Sequence, residues 1–240
     1  MRPTFFFLPH AIRYADGLKL QEVLHRARLE ERIPDVALFL EHAPVITLGR
    51  RGRTRYLLLP PEQLADMGID FHTASRGGDV TYHAPGQLVV YPIVKLSGPG
   101  ADSHRYLWKL EEAVLRSVTD FGVHAYRREG MAGIWCDAGK LAAIGFHLKR
   151  WVTLHGLSLN VDLDLNGFSL IVGCGLEGES VASLKTLLGP ECPSLAQVRG
   201  QVARHLADLL GRPFESWTAG QPLPAACAGI PEMATFQALS

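Results

Sequence analysis

The chain carries no net charge: 24 Lys plus Arg offset 24 Asp plus Glu across 240 residues. No overall field therefore draws it to nucleic acid or an anionic membrane, and a charged partner must be met by a local cluster. Cysteine is scarce. Cys136, Cys174, Cys192 and Cys227 form no CxxC pair and no zinc-like spacing, which argues against a metal knuckle and a disulfide framework. No metal and no cofactor is expected. Long hydrophobic runs are also missing. The opening MRPTFFFLPH holds an apolar stretch of only four residues, short of a secretory signal, and no later run reaches membrane-spanning length. A soluble, cytoplasmic protein is the expectation, and no internal repeat is found.

What is present is a core-forming chain of mixed elements. Phe5 to Leu8 reads as a strand, and Leu20, Val23, Leu24 and Ala27 recur at helical spacing. Ala37 to Leu40 and Val45 to Leu48, separated by Glu41, His42 and Pro44, read as strand, turn, strand. Arg50, Arg51, Arg53 and Arg55 crowd the next loop, as a solvated basic loop or as a docking patch for an acidic protein. Leu107, Leu110, Val114, Val118 and Phe121 share a helix face, with Asp102 or Ser103 as cap and Gly122 as stop. Residues 133–161 read as two hairpins in tandem, and Leu195 to Leu209 as another amphipathic helix between Ser194 and Gly211. Steady strand-helix alternation is absent. The prediction is a single α/β domain with mostly antiparallel or mixed sheets flanked by helices, spanning residues 1–215. The Ala/Pro-rich stretch 216–240 reads as a tail, partly disordered or draped on the surface.

One stretch concentrates chemistry. Residues 76–93, RGGDVTYHAPGQLVVYPI, gather arginine, histidine and glutamine beside glycines and a Pro-Gly turn. Gly77 and Gly78 permit close backbone approach, and this density of polar groups suits a ligand-shaped loop better than a bare turn. A buried strand, Leu88 to Ile93, follows. Cys174 lies between Gly173 and Gly175 after an apolar run. Flanking glycines leave amide donors open to a developing oxyanion, although a buried cysteine behaving as a small apolar residue fits the spacing equally. Lys140 opens the apolar strand LAAIGFHL, either as a turn lysine or with its ammonium directed into a pocket. Cys136 and Cys192 read as structural, while His83 and His155, beside Pro-Gly or Gly, read as marking strand ends.

RGGDVTYHAPGQLVVYP, GKLAAIGFHL, HGLSLNV and IVGCG, with EHAPVITLG upstream, stand in the order and spacing of the lipoyl(octanoyl) transferases, and the resemblance runs from at least Leu38 to Leu188. It implies the fold shared by lipoate and biotin protein ligases. It also implies transfer of an octanoyl or lipoyl group from acyl carrier protein to a lysine of lipoyl domains, those of 2-oxoacid dehydrogenases and the glycine cleavage H protein, without ATP. By the same similarity Cys174 matches the acyl-thioester nucleophile and Lys140 its activating lysine. Arg76, Gly77, Gly78, Asp79, Val80, Thr81, Tyr82 and His83 match acyl-substrate-binding segments, as do Ala143, Ile144, Gly145, Gly156, Leu157 and Ser158. Val80, Ile144 and Leu157 are the expected walls of an acyl slot. The family usually has proline where this chain has Gly173 and alanine where it has Ser158. A monomer is expected, with no nucleic-acid or membrane partner. An ATP-dependent lipoate-protein ligase and a non-catalytic binder of acyl groups or lipoyl domains are the alternatives.

Overall fold

Strand runs that are apolar at every position are buried on both faces, and here they become the centre of a large sheet. The computed structural model describes residues 2–98, 101–172, 179–230 and 233. In chain order it places β1 (Thr4–Ile12), α1 (Tyr14–Leu29), β2 (Val36–His42), β3 (Val45–Leu48), α2 (Pro61–Asp66), β4 (Asp70–Thr73), β5 (Val80–His83) and β6 (Gln87–Ile93). Then come α3 (Ser103–Asp120), β7 (Tyr126–Arg128), β8 (Met131–Cys136), β9 (Gly139–Lys149) and β10 (Val152–Asn160). The chain continues through α4 (Leu184–Leu188), α5 (Leu195–Leu210), β11 (Glu215–Thr218) and α6 (Ala225–Ala228).

Eight strands form one sheet in the order β11-β1-β2-β6-β10-β9-β8-β7, and β4-β3-β5 form a second. Among the described strands parallel pairing is confined to β1 with β2 and β11, and to β3 with β4. The tandem hairpins predicted from the 133–161 pattern are β8-β9-β10, antiparallel throughout. Although β2 and β3 are close in sequence, they do not pair; β2 joins the large sheet and β3 the small one. His42, expected in the turn between them, is instead the last residue of β2 and fully buried.

Alternation along β2 and β6 sends Phe39, Leu88 and Val90 toward the face covered by α3 and α5, and Leu38, Val89 and Tyr91 toward α1. The helices begin and end where the sequence stops them. Asp102 accepts from the His104 and Arg105 amides at the start of α3. Ser194 forms a capping box with Gln197, and Gly211 closes α5 in the left-handed region at φ 71°. The stretch expected as a tail begins inside β11, and Trp217, Cys227, Ile230 and Met233 are buried against the core beneath α1. No helix among the described residues is long and apolar enough to cross a membrane.

A proline in a central strand removes a ladder donor, and Pro92 in β6 has a visible consequence. Opposite it β10 leaves the ladder: the Thr153 hydroxyl donates to Pro92 O at 2.7 Å, and regular pairing resumes at Leu157 with Val90. His155 sits in this irregularity with φ +57°, its N–H donating to Gln21 Oε1 at 2.9 Å. The expectation that His155 marks a strand end is thus corrected: it lies mid-strand, 1% exposed. His83 does end β5, yet it too is buried.

Candidate active site

The glycine loop between β4 and β5, the middle of β9 and the bend of β10 enclose a cavity of about 960 Å³. Its formation depends on backbones meeting where a Cβ would intervene. Gly77 N–H donates to Phe146 O at 3.0 Å, and a Cβ on Gly145 would lie 2.8 Å from Gly77 O. A Cβ on Gly156 would fall 2.3 Å from Val90 O. Arg76 turns its guanidinium inward. Nη2 donates to Thr47 O at 2.6 Å and to its hydroxyl at 2.9 Å, and Nη1 donates to Gly77 O at 3.0 Å. The arginine of the RGG run thereby ties the loop to β3.

Arg76, Gly77, Gly78, Asp79, Val80, Thr81 and His83 line the cavity, as do Ala143, Ile144, Gly145, Gly156, Leu157 and Ser158. Tyr82 is the exception among the expected binding residues. Its ring instead joins the core beside the small sheet, edge-on to Phe168 at 5.5 Å and against Gly167.

Lys140 lines the same cavity at the start of β9. Its stem crosses Gly133, where a Cβ would come within 2.9 Å of Cε, and Nζ lies 5.1 Å from the centre of the Trp135 ring. The backbone of Lys140 pairs with the chain beyond the Gly-Cys-Gly run: its N–H donates to Ser180 O at 2.8 Å and its carbonyl accepts from Ala182 N–H at 3.0 Å. Arg128 packs over Trp135 at 4.1 Å and pairs with Glu179 at 2.9 Å. Cys174 and Gly173 lie outside the described residues. Ile171 on one side of them and Glu179, Ser180 and Val181 on the other line the cavity. Cys136, read as structural, is buried, and Cys192 is partly so.

Behind the loop is a polar floor that the sequence did not announce. Asn160 donates from Nδ2 to Ala182 O at 2.9 Å, leaving Oδ1 to accept from Gln87 Nε2 at 2.8 Å. Gln87 Nε2 also faces Tyr82 O, so Oε1 points to His83 Nδ1 at 2.6 Å. His83 must therefore carry its proton on Nδ1 and a lone pair on Nε2. His42 is fixed in the same tautomer, donating from Nδ1 to Ile12 O at 3.1 Å and accepting at Nε2 from the Tyr91 hydroxyl at 2.7 Å. Burial holds all three histidines neutral, His42 at about 4, and His83 and His155 at about 3. Burial likewise pushes the Tyr14 phenol up to about 12, and its buried hydroxyl has no hydrogen-bond partner among the described residues. Of this floor only Tyr14 lies outside the motif strings: His42 stands in EHAPVITLG, His83, Gln87 and Tyr91 in the 76–93 stretch and Asn160 in HGLSLNV, yet no string shows that they meet. Tyr14 comes from α1, His42 from β2, Gln87 and Tyr91 from β6, and Asn160 from β10.

The architecture is that of the lipoate and biotin protein ligases. The bipartite lipoate protein ligase of Thermoplasma acidophilum superposes with a TM-score of 0.73 at 16% identity, covering 94% of this chain and 89% of that one. Lipoate-protein ligase A bound with ATP gives 0.72 at 14% identity over 94% and 91%, and biotin protein ligase from Aquifex aeolicus 0.51 at 11% over 88% and 70%. The sequence places it more narrowly: residues 13–207 match the lipoyl protein ligase A/B catalytic domain, and the chain belongs to that family. The octanoyltransferase of Syntrophotalea carbinolica is 46% identical over 197 residues, 82% of this chain and 90% of that protein. That of Caldicellulosiruptor saccharolyticus is 42% identical over 205 residues, 85% and 87%.

Proposed function

We propose that the protein is a cytoplasmic, monomeric octanoyltransferase. It moves an octanoyl group from acyl carrier protein to a lysine of lipoyl domains, such as those of 2-oxoacid dehydrogenases and the glycine cleavage H protein. The observation that carries this reading is the backbone pairing of Lys140 with Ser180 and Ala182 in the lining of a cavity that Val80, Ile144 and Leu157 also line. Identity above 40% to octanoyltransferases across most of both chains supports it.

In this mechanism the Cys174 thiolate attacks the octanoyl thioester carbonyl, the carrier thiol departs with a proton, and an acyl-cysteine results. A free thiol of pKa about 8.5 is only a few per cent ionised near neutrality, so an ammonium beside it raises the reactive fraction. Lys140 supplies that charge and the departing proton. In the second half the acceptor's amine attacks the acyl-cysteine, the neutral Lys140 amine takes its proton, and an amide forms as the thiolate is released. Thioester becomes amide, so the sequence runs downhill without ATP. Eight carbons in the slot contribute roughly 0.8 kcal/mol per buried methylene.

Intact-protein mass spectrometry after exposure to the acyl-carrier donor tests the reading. One octanoyl adduct is expected, lost on hydroxylamine treatment and absent in Cys174→Ser. Full transfer by the serine variant, or a requirement for ATP, would overturn it.

A further inference from the structure

Trp135 takes no part in the chemistry above, yet it is the largest fully buried side chain among the described residues and it lines the cavity. Antiparallel pairing sets it directly opposite Lys140 on β9, so the two side chains are cross-strand neighbours. Gly133, two residues before it, clears the way for the lysine. It has φ +125°, and a Cβ there would meet Ala142 O at 2.5 Å as well as the lysine's Cε at 2.9 Å. Glu111 of α3, paired with Arg127, accepts the Gly133 N–H at 3.0 Å and fixes this stretch of β8. The stem of Lys140 thus runs along a prepared track that brings its ammonium 5.1 Å from the ring centre.

The same ring meets a second cation. Arg128 of β7 lies over it at 4.1 Å, and its Nη1 donates to both carboxylate oxygens of Glu179 at 3.0 and 2.9 Å. Glu179 balances that charge and ties the chain that follows the Gly-Cys-Gly run to the indole. The Trp135 Nε1–H is buried with no hydrogen-bond partner among the described residues. A phenylalanine would bury no such donor, so the indole is accounted for by its face, the strongest aromatic surface for a cation, and not by its N–H. We propose that Trp135 is a positioning residue for the transfer, its π face holding the Lys140 amine in the charged, ordered state that activates the thiol. The inference rests on the transferase reading and deepens it by naming what holds the activating lysine. Without that face the ammonium would spread over the rotamers of a flexible stem, and less of the thiol would be ionised.

The test replaces Trp135 in the full chain with a tetrafluorinated tryptophan, which keeps the shape of the ring but removes the negative charge on its face, and separately with leucine as Trp135→Leu. Single-turnover acylation by octanoyl on its carrier protein, and alkylation of Cys174 by iodoacetamide mapped by mass spectrometry, are followed across neutral pH. The fluorinated protein should melt within about 2 °C of wild type yet acylate about tenfold more slowly near neutrality, with the acid limb of both reactions moved up by about one pH unit. Combined with Lys140→Met, the fluorinated ring should change the rate by less than about twofold, because the ammonium it acts through is gone. An unmoved limb in the fluorinated protein, or an equal loss in the Lys140→Met background, would overturn the proposal. So would wild-type acylation by a folded Trp135→Leu variant; if leucine prevents folding, the fluorinated ring decides alone. Wild-type protein that forms no acyl-enzyme, or Lys140→Met as fast as wild type, would instead remove the transferase reading on which the role of the ring rests.

Discussion

Acid should unfold this protein earlier than its carboxylates alone would dictate, because three histidines are buried neutral in one cluster. His42 and His83 have ring centres 5.8 Å apart, and His155 stands edge-on to Tyr91, which hydrogen-bonds His42. Their folded pKa values of about 4, 3 and 3 lie below the usual 6.5. Above pH 6.5 neither folded nor unfolded chain protonates them, and their contribution is complete. Below that value the unfolded chain takes up protons that the folded one refuses until pH reaches 4 to 3. Stability therefore falls by about 1.4 kcal/mol per pH unit for each histidine. At pH 5 the three together cost about 6 kcal/mol, comparable with the whole stability of an ordinary domain, about 5–15 kcal/mol. Urea unfolding followed by tryptophan fluorescence from pH 7.5 to 5 measures the slope. His42→Asn and His83→Asn should each flatten it by about 1.4 kcal/mol per unit. A wild-type slope below that of a single histidine between pH 6 and 5 would refute the reasoning.

Four further outcomes follow from particular contacts. Lys140→Met, which keeps the stem over Trp135 without the charge, should slow acyl-enzyme formation about 10²- to 10⁴-fold in single-turnover assays while leaving the melting curve near wild type. Gly145→Ala places a methyl 2.8 Å from Gly77 O and should cost about 1–3 kcal/mol in denaturant melts, whereas Gly77→Ala, whose nearest contact is 3.5 Å, should stay within about 0.5 kcal/mol. Leu110→Ala, in the fully buried face of α3, should cost about 2–5 kcal/mol by the same measurement. Truncation after residue 215 removes Trp217, Cys227, Ile230 and Met233 from the core beneath α1 and should lower the melting temperature and increase binding of an apolar dye.

The elements that the sequence displayed plainly are those whose determinants are local. Helix α3 was legible because its apolar face repeats within four residues and Asp102 caps it directly; the β8-β9-β10 hairpins were legible through short turns. The partition of β2 and β3 into two sheets was not, since both are uniformly apolar runs and pairing choice lies in distant partners, β6 for one and β5 for the other. A sign of the His155 bend was present in Pro92: a proline within a buried strand requires its neighbour to give way. The Ala/Pro-rich end concealed its anchoring because Trp217, Cys227, Ile230 and Met233 are isolated apolar residues without period.

The site was half legible for the same reason, and the polar floor explains why its halves belong together. Each member of the series His83, Gln87, Asn160 and Ala182 has its donor side used by a backbone carbonyl or by the next acceptor, which leaves one orientation for each amide and one tautomer for the imidazole. The last member, Ala182, donates its own N–H to Lys140 O. The HAPGQ string and the GKLAAIG string read as separate motifs because they are far apart in sequence, but the position of the lysine's strand and the protonation of the histidine are set by one run of hydrogen bonds. Neutrality of the floor has an electrostatic use as well. Protonated histidines in the floor would repel any cation brought into the cavity, so the burial that makes the fold acid-labile also keeps histidine charge out of the space where the proposed chemistry takes place.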